Sequence, residues 1–588
     1  LSNKLIMNDR PLILPPRPST DELIRLLERY PLPLDQETGK PLVFGYGTAG
    51  FRYQASIMES IFVRVGILAA YRSGALDGQA LGVMVTASHN DESYNGVKLA
   101  DPHGGMMAPE GEALAVTLAN APTAQAVLSL VSTSTSGGVV HVGRDTRSHS
   151  PALTQLTIRA AQAMGATVYM HGVVTTPILH YCVMMANPQY LPPLIPRRPN
   201  VVGYYEQVAH AYMGLLATSS LTSGDKKLDP IVVDCACGVG YAHTQRLNDT
   251  LQKLGAARPL LARNAPDEGP LNEGCGSEHV QKHILPPQWY SADITANAAI
   301  PYAASLDGDS DRIVFFAQEE NNQFTLLDGD KIAVLICDFL QEQVSALEKA
   351  ISAATNNHQQ SSSSLNLGVV QTAYANGAST KYMERVLGKD RVKIAKTGVK
   401  HVHKAAHDYF DVGVYFEANG HGTVLFGNAF YEFLADADKA VRGHVALQRL
   451  QLLPALINQA VGDALSDLLL VDAILQIKGW TITDDWKKLY TDLPSRQCKV
   501  KVEDRTMIQT NENETRCTSP VELQDALDAA IVTVGGSLSR CFVRPSGTEN
   551  VVRVYAEAPT PQQADELATQ AAKLVFEICR GVGQPPVF

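Results

Sequence analysis

Short apolar runs alternate with amphipathic stretches along most of the chain. The run "GGVVHVGRD" at 137–145 predicts a strand ending in a charged loop. "PALTQLTIRAAQAMG" at 151–165 predicts the next helix, with Pro151 in its first turn and Gly165 past its end. "ATVYMHGVVTTP" then reads as a strand. The same beat returns in "PIVVDCACGVG" with "HTQRLNDTLQKLG", and again in "LNLGVVQTAYANG" with "ASTKYMERVLG" and "RVKIAKTG". Such alternation predicts α/β units with parallel or mixed sheets, and its recurrence suggests internal duplication. After Val461 the pattern changes. A helical stretch and a polar region with "TDDWKK" and "QTNENETR" lead to "LSRCFVRPSGTENVVRVYAEA" between two helical segments, an α+β arrangement. The tracts "STSTSGG" at 132–138 and "NNHQQSSSS" at 356–364 predict surface loops, and the Pro-rich "LPPLIPRRP" at 191–199 a connection between the first two units.

The 588 residues leave room for about three to five domains at roughly 100–200 residues each. A net charge of −11 speaks against nucleic acid or an anionic membrane as main partner. An anionic small substrate stays open, because a local Arg and Lys cluster outweighs a remote field screened over about 10 Å. The nine cysteines are scattered, with no C-x-x-C, which argues against a zinc ribbon or disulfide scaffold and for a reducing compartment. No run of 18 apolar residues and no secretory pattern occurs, so the expectation is a cytoplasmic protein without a membrane span.

Four polar loops follow strand-like runs. In "VMVTASHN", Ser88 and His89 stand where an α/β sheet binds ligands, at a strand end. The G-x-S-x-G elbow is absent, so a plain polar loop accounts for this stretch as readily. In "LDGDSDRIVFF", Asp307, Asp309 and Asp311 recur at every second position, and alternate residues of an extended segment face one way. Clustered carboxylates call for a cation, and all-oxygen ligation suits Mg²⁺ or Ca²⁺. An EF-hand is excluded: its Gly position holds Arg312 and its closing Glu position holds Gln318. A site with three protein ligands, short of one oxygen, remains, beside the alternative of a solvated acidic turn. In "FVRPSGTENVVRV", Arg544, Ser546, Gly547, Thr548 and Arg553 combine a close backbone approach, hydroxyl donors and forked guanidinium groups, a pattern suited to phosphate. In "YFEANGHGT", Glu417, Asn419 and His421 form a row able to hydrogen-bond sugar hydroxyls or an amide, although an ordinary turn would look the same. Arg52, Lys98 and Lys396 are further basic candidates, each unremarked as a surface charge when taken singly.

The conjunction is more specific than its parts. "TASHN", "DGDSDR", "EANGH" and "RPSGTENVVRVYAEA" occur in that order, one per unit, and resemble the α-D-phosphohexomutase superfamily from about Gly45 to Ala558. "FEANGHGT" is similar to its phosphoacetylglucosamine mutase branch. The resemblance implies three related α/β domains with mixed sheets and a C-terminal α+β domain around a central cleft. It divides the chain at 1–198, 199–318, 319–460 and 461–588. It implies a phosphorylated Ser88, one Mg²⁺ held by Asp307, Asp309, Asp311 and the phosphate on Ser88, and a hexosamine 1,6-bisphosphate as activator. Glu417, Ala418, Asn419 and His421, with Lys396, would bind the sugar. Arg544, Pro545, Ser546, Gly547, Thr548 and Arg553 would bind its distal phosphate. His89 or Lys98 would act as general base, with Arg52 and Arg312 steadying the transferring group.

The implied activity is interconversion of N-acetylglucosamine 6-phosphate and 1-phosphate, feeding UDP-N-acetylglucosamine synthesis. Phosphoglucomutase or phosphomannomutase activity, or a non-catalytic phosphosugar-binding relative, is the alternative. The substrate would be a phosphosugar, with no nucleic acid or membrane partner. One departure is Asp91, where many relatives carry Pro; it adds a negative charge beside Ser88 and frees a backbone angle.

Overall fold

A computed structural model describes residues 7–47, 50–131, 137–219, 228–288, 290, 303–318, 324–355, 365–547 and 549–588. The polar tracts at 132–136 and 356–364, and Thr548, lie outside the described residues.

The first sheet contains β1 (Met7–Leu14), β2 (Phe51–Gln54), β3 (Ala80–Val85), β4 (Tyr94–Ala100), β5 (Val139–Arg144) and β6 (Thr167–Val173), in the order β1-β6-β5-β3-β4-β2. The second contains β7 (Ile231–Asp234), β8 (Leu260–Arg263), β9 (Ala303–Leu306), β10 (Ile313–Gln318) and β11 (Phe324–Leu327), ordered β11-β10-β9-β7-β8. The third contains β12 (Leu367–Thr372), β13 (Val392–Ala395), β14 (Val412–Phe416) and β15 (Gly422–Phe426), ordered β13-β12-β14-β15. The C-terminal unit has β16 (Ser495–Lys501), the short pair β17 (Gln509–Thr510) and β18 (Cys517–Ser519), then β19 (Arg540–Pro545) and β20 (Val551–Glu557). Its main sheet is ordered β16-β20-β19.

A common plan underlies the first three sheets. In the second, β8, β7 and β9 run parallel and β10 returns antiparallel to β9. In the third, β13, β12 and β14 run parallel and β15 returns on β14. In the first, β6, β5 and β3 run parallel and β4 returns on β3, so the plan is the same with its chain order permuted. The expected duplication therefore stands in topology. Strand β3 is buried at every position, as a continuous apolar run in a covered sheet must be. The helices Glu59–Ala75 and Thr176–Ala186 both pack on it.

Hydrophobic cores follow these units. One belongs to the first unit, from Leu23 to Val168. A large one runs from Met84 to Tyr490 and joins the first three units. A third is confined to Val500–Cys579. The helix Ala464–Lys478 is apolar on nearly every side, so it lies in the large core against the helices Val201–Ala217 and Gly329–Thr355. Segment 461–494, grouped with the C-terminal unit from its sequence, thus packs largely with the centre, and the C-terminal sheet begins at Ser495.

Polar contacts dock the last unit on the third. Arg540 Nη1 donates to Ala373 O at 2.9 Å, and Gly377 N to Glu557 Oε2 at 3.0 Å. Lys331 Nζ donates to Tyr490 O at 2.5 Å, and Asn376 Nδ2 to Leu493 O at 2.9 Å, holding the connecting segment. A cavity of about 880 Å³ opens beside it, lined by residues including Asp330, Tyr374, Asp492 and Arg553. Among the described residues no helix is long and apolar enough to cross a membrane.

Candidate active site

Each of the four motifs sits on the turn of an antiparallel pair: β3–β4, β9–β10, β14–β15 and β19–β20. After β3, Ser88 adopts φ 50°, a left-handed conformation that costs a non-glycine residue free energy and turns its carbonyl out of the ladder. Donors from two units hold that shape. Arg147 Nη2 donates to Asn90 O at 2.5 Å and Ser88 O at 3.4 Å. Asn272 Nδ2 donates to Ser88 O at 2.9 Å and Asn90 O at 3.0 Å. Arg147 is itself buried and paired with Asp145. Asp91 is exposed and accepts from Ser93 N at 3.0 Å, so its carboxylate closes its own turn.

The aspartates do not form the extended row their spacing suggested. Residues 307–312 make a tight turn between β9 and β10, with Ser310 at φ 60°. Asp307 Oδ1 accepts from Asp311 N at 3.0 Å and Arg312 N at 3.2 Å, and this folds the three carboxylates together. Ligand oxygens of Asp307, Asp309 and Asp311 lie within 4.8 Å of one another. Glycine is required between the first two: a Cβ on Gly308 would sit 2.7 Å from Ser88 O. The two turns therefore touch, and Ser88 Oγ donates to Asp309 Oδ2 at 3.1 Å.

One oxygen on each aspartate (Asp307 Oδ2, Asp309 Oδ1, Asp311 Oδ1) is buried without a hydrogen-bond partner. Buried orphan carboxylate oxygens are costly unless a cation takes them, and hard oxygen donors at this spacing fit Mg²⁺. Burial, with the Asp311 and Asp309 charges beside it, pushes Asp307 well above the usual carboxylate range.

Basic groups ring this trio. Lys98 Nζ donates to Asp309 Oδ2 at 2.8 Å and Asp311 Oδ2 at 2.7 Å. Burial works against its charge, and the two carboxylates outweigh burial and raise its pKa. Arg312 Nε stands 3.9 Å from both Asp307 and Asp311. Arg52 Nη2 donates to Ser88 Oγ at 3.4 Å, and its Nη1 to His89 Nε2 at 3.0 Å. His89 uses its other nitrogen on Glu278. Burial first, then the Arg312 charge, push its pKa down to about 4, so this imidazole is neutral near pH 7.

Residues 417–421 likewise form a turn, not a row, with Gly420 at φ 86°. His421 reaches Asp311 Oδ1 at 3.4 Å, which joins this loop to the trio. Asn419 Oδ1 accepts from His421 N at 3.0 Å, which fixes the amide. Gly398 N donates to Glu417 Oε1 at 3.3 Å, and Ala418 O accepts from Gly329 N at 3.3 Å.

On the last loop, Arg544 and Arg553 face each other across β19–β20. Like charges directly opposite are unfavourable without an anion. Glu514 supplies one, 2.9 Å from Arg544 Nε, and also accepts from Thr397 N at 3.0 Å, beside Lys396. Pro545 ends β19, Ser546 N donates to Val551 O at 2.9 Å, and Gly547 O accepts from Arg505 at 3.0 Å.

Comparison with known proteins decides the family. The sequence model for phosphoacetylglucosamine mutase AMG1, domain III, matches residues 328–480. Those for phosphoglucomutase/phosphomannomutase match residues 498–574 (C-terminal domain) and 68–125 with 117–189 (domain I). The phosphoacetylglucosamine mutase of Homo sapiens is 41% identical over 556 residues, covering 93% of this chain and 96% of that protein. The chain belongs to the phosphoacetylglucosamine mutase family. It is therefore an isomerase of the phosphomutase kind.

Two solved structures extend the likeness. The Aspergillus fumigatus N-acetylphosphoglucosamine mutase, in complex with GlcNAc-6P and magnesium, is 39% identical with a TM-score of 0.82, over 96% of this chain and 100% of that one. An N-acetylglucosamine-phosphate mutase of the α-D-phosphohexomutase superfamily, in its product complex, is 36% identical with a TM-score of 0.83, over 95% and 100%.

In this family member, Ser88, His89, Arg52, Lys98, Arg312, His421 and the aspartate trio form one connected cluster. The Arg544–Arg553 loop gathers separately with Glu514. Sequence reasoning missed Thr176, whose hydroxyl donates to Asp309 Oδ2 at 2.6 Å, as well as Arg147, Asn272, Glu278 and Glu514. "GRDTR", with its buried Asp145–Arg147 pair directly after a strand, was the available signal for one of them.

Proposed function

We propose that this chain interconverts N-acetylglucosamine 6-phosphate and N-acetylglucosamine 1-phosphate, with Ser88 carrying the phosphoryl group. The observation that carries the reading is the meeting of Ser88 Oγ with the buried trio, 3.1 Å from Asp309 Oδ2. Asp307, Asp309 and Asp311 would hold Mg²⁺, which when bound supplies positive charge against the transferring phosphate. Arg52 and Arg312 stand where they also offset that charge.

Lys98 is the residue assigned to the hydroxyl proton. Its charge is kept by the same carboxylates that a divalent ion would neutralise, and burial then favours its neutral form. His89, already neutral and hydrogen-bonded to Arg52, orients that arginine. The turn 417–421 grips the sugar, with Asn419 Nδ2 aimed at an acetamido carbonyl, and Arg544, Ser546, Gly547 and Arg553 take the distal phosphate in place of Glu514. Two phosphates of about −2 held at about 8 Å repel by roughly 8 kcal/mol at an effective dielectric near 20, which explains cationic groups on both sides. The 1,6-bisphosphate formed by the first transfer turns over in the cleft and returns its other phosphate to Ser88. A cytoplasmic enzyme supplying UDP-N-acetylglucosamine synthesis fits this chemistry.

Intact-mass measurement and peptide mapping test the assignment. The purified protein is expected to carry one phosphate on the Ser88 peptide, and Ser88→Ala to lose it together with about 10³-fold or more of turnover. Wild-type activity in that variant would refute the carrier role. Faster turnover of glucose 1-phosphate than of the N-acetyl sugar would overturn the substrate.

A further inference from the structure

Between β17 and β18 the chain turns through Glu514, a residue to which phosphoryl transfer gives no task of its own. Its placement is unusual for a carboxylate: 4% exposed, on a backbone at φ 57°. A charge so buried persists where a partner holds it, and a left-handed non-glycine residue persists where its surroundings force it. Asn511 does the forcing. Its carbonyl accepts from Glu514 N at 3.0 Å, and its Oδ1 accepts from Thr515 N at 2.9 Å and Arg516 N at 3.1 Å. Asn511 N donates to Arg516 O at 2.9 Å and closes the turn. The hairpin thus presents one acidic side chain inward from a braced tip.

A single oxygen of that side chain serves two units. Glu514 Oε2 lies 2.9 Å from Arg544 Nε in the last unit, and it accepts from Thr397 N in the third at 3.0 Å. Arg544 stands in a row of cations. Its partner across the ladder is Arg553, and Arg553 pairs on its other side with Lys499. Lys499 has Glu549 at 3.5 Å. For Arg544 the anion is Glu514. Like charges opposed in this way need one, and a phosphate loop between visits has to find it within the chain.

We propose that Glu514 is a positioning residue for turnover of the bisphosphate: a carboxylate that holds Arg544 while the distal-phosphate site is empty, yields to arriving phosphate, and displaces that phosphate in turn. This rests on the reading of the Arg544 loop as the distal-phosphate site. Its consequence is kinetic. The 1,6-bisphosphate has to leave Arg544 before its other end can be presented to Ser88. Without a replacement anion, that departure would leave the facing guanidinium groups bare. The hydrogen bond from Thr397 N keeps the Glu514 carboxylate within reach. Phosphate, with a charge of about −1.5 to −2, outcompetes a single carboxylate, so substrate binds. The competition narrows the margin, so the intermediate can let go. Deleting the Glu514 charge should therefore tighten phosphate binding, which is the opposite of what loss of a merely structural contact would do.

Glu514→Gln keeps the side chain's size and its acceptor for Thr397 N, and removes the charge. Steady-state kinetics of the Mg²⁺-loaded full chain should show KM for N-acetylglucosamine 6-phosphate and the inhibition constant of inorganic sulfate, a phosphate mimic, each lowered about tenfold. The same variant should lose about as much in kcat, because the bisphosphate turns over more slowly. A raised or unchanged KM would overturn the proposal. A second measurement uses the wild type. Saturating sulfate should increase carbodiimide-driven amine labelling of Glu514, read by peptide mass, as the side chain leaves its buried pair. Unchanged or reduced labelling would overturn the proposal even where the variant failed to fold. Arg544→Gln separates the two readings. Weaker sulfate inhibition in that variant upholds the phosphate site independently of Glu514. Unchanged inhibition would remove the phosphate site and the proposal with it, whereas weaker inhibition beside unchanged Glu514 labelling would remove the proposal alone.

Discussion

Three carboxylates within 4.8 Å of one another repel strongly in a buried setting, and the residues around them divide the work of tolerating that charge. Lys98 and Arg312 bring positive charge, and Thr176 brings a hydroxyl at 2.6 Å. Thr176→Val removes a hydrogen bond to a charged group, so kcat should fall about tenfold or more and the Mg²⁺ concentration for half-maximal activity should rise. Thr176→Ser should restore both, and steady-state kinetics at varied Mg²⁺ checks this. Asn419 offers a different single-residue test. Asn419→Asp replaces the amide donor by an acceptor, and KM for N-acetylglucosamine 6-phosphate should rise about tenfold more than KM for glucose 6-phosphate. Equal changes for the two sugars would remove Asn419 from acetamido recognition.

At the level of turns and strands, the hairpin after β14 depends on glycine. Gly420 has φ 86°, and a Cβ there would lie 1.9 Å from Ile313 O on β10. Gly420→Ala should therefore separate the 417–421 turn from the trio, lowering the melting temperature and raising KM, read by calorimetry and kinetics together. The pair β5–β6 buries His141 against His171, with Nδ1 to Nε2 at 2.9 Å. Burial pushes the His141 pKa down to about 4, from an ordinary value of 6.5. The unfolded chain binds this proton at higher pH than the folded one does. Stability is thus unaffected above pH 6.5 and declines as pH falls toward 4, by on the order of 1 kcal/mol per pH unit per such imidazole. Chemical denaturation of His141→Gln between those limits should show a shallower decline than the wild type.

These elements also show where the sequence was readable. Strand–helix alternation and the four motifs were legible because apolar runs and glycine-bearing turns act locally. The spacing of Asp307, Asp309 and Asp311 predicts an extended row, yet Asp307 folds it into a turn by accepting from the backbone of Asp311 and Arg312. Thr176, Asn272 and Glu514 were invisible, since each acts on a partner far along the chain and none sits in a pattern of its own.

Across the whole molecule, the proposed reaction needs four hairpins from four units to converge. The last unit is held on the third by hydrogen bonds of Arg540, Glu557 and Glu514 and by a small apolar patch, an interface limited enough to open. Arg540→Ala should raise KM and increase the fraction of bisphosphate released per turnover, measured by trapping free intermediate. Small-angle scattering should differ with and without a tight-binding bisphosphate, and identical profiles would count against such opening. The separate core at Val500–Cys579 touches its neighbour through the small apolar patch of Ala373, Phe542 and Tyr555. Heating should consequently give two calorimetric transitions, of which the smaller extinguishes catalysis while most of the circular dichroism signal survives. The enzyme would then be switched off by melting the part of itself that does none of the bond making.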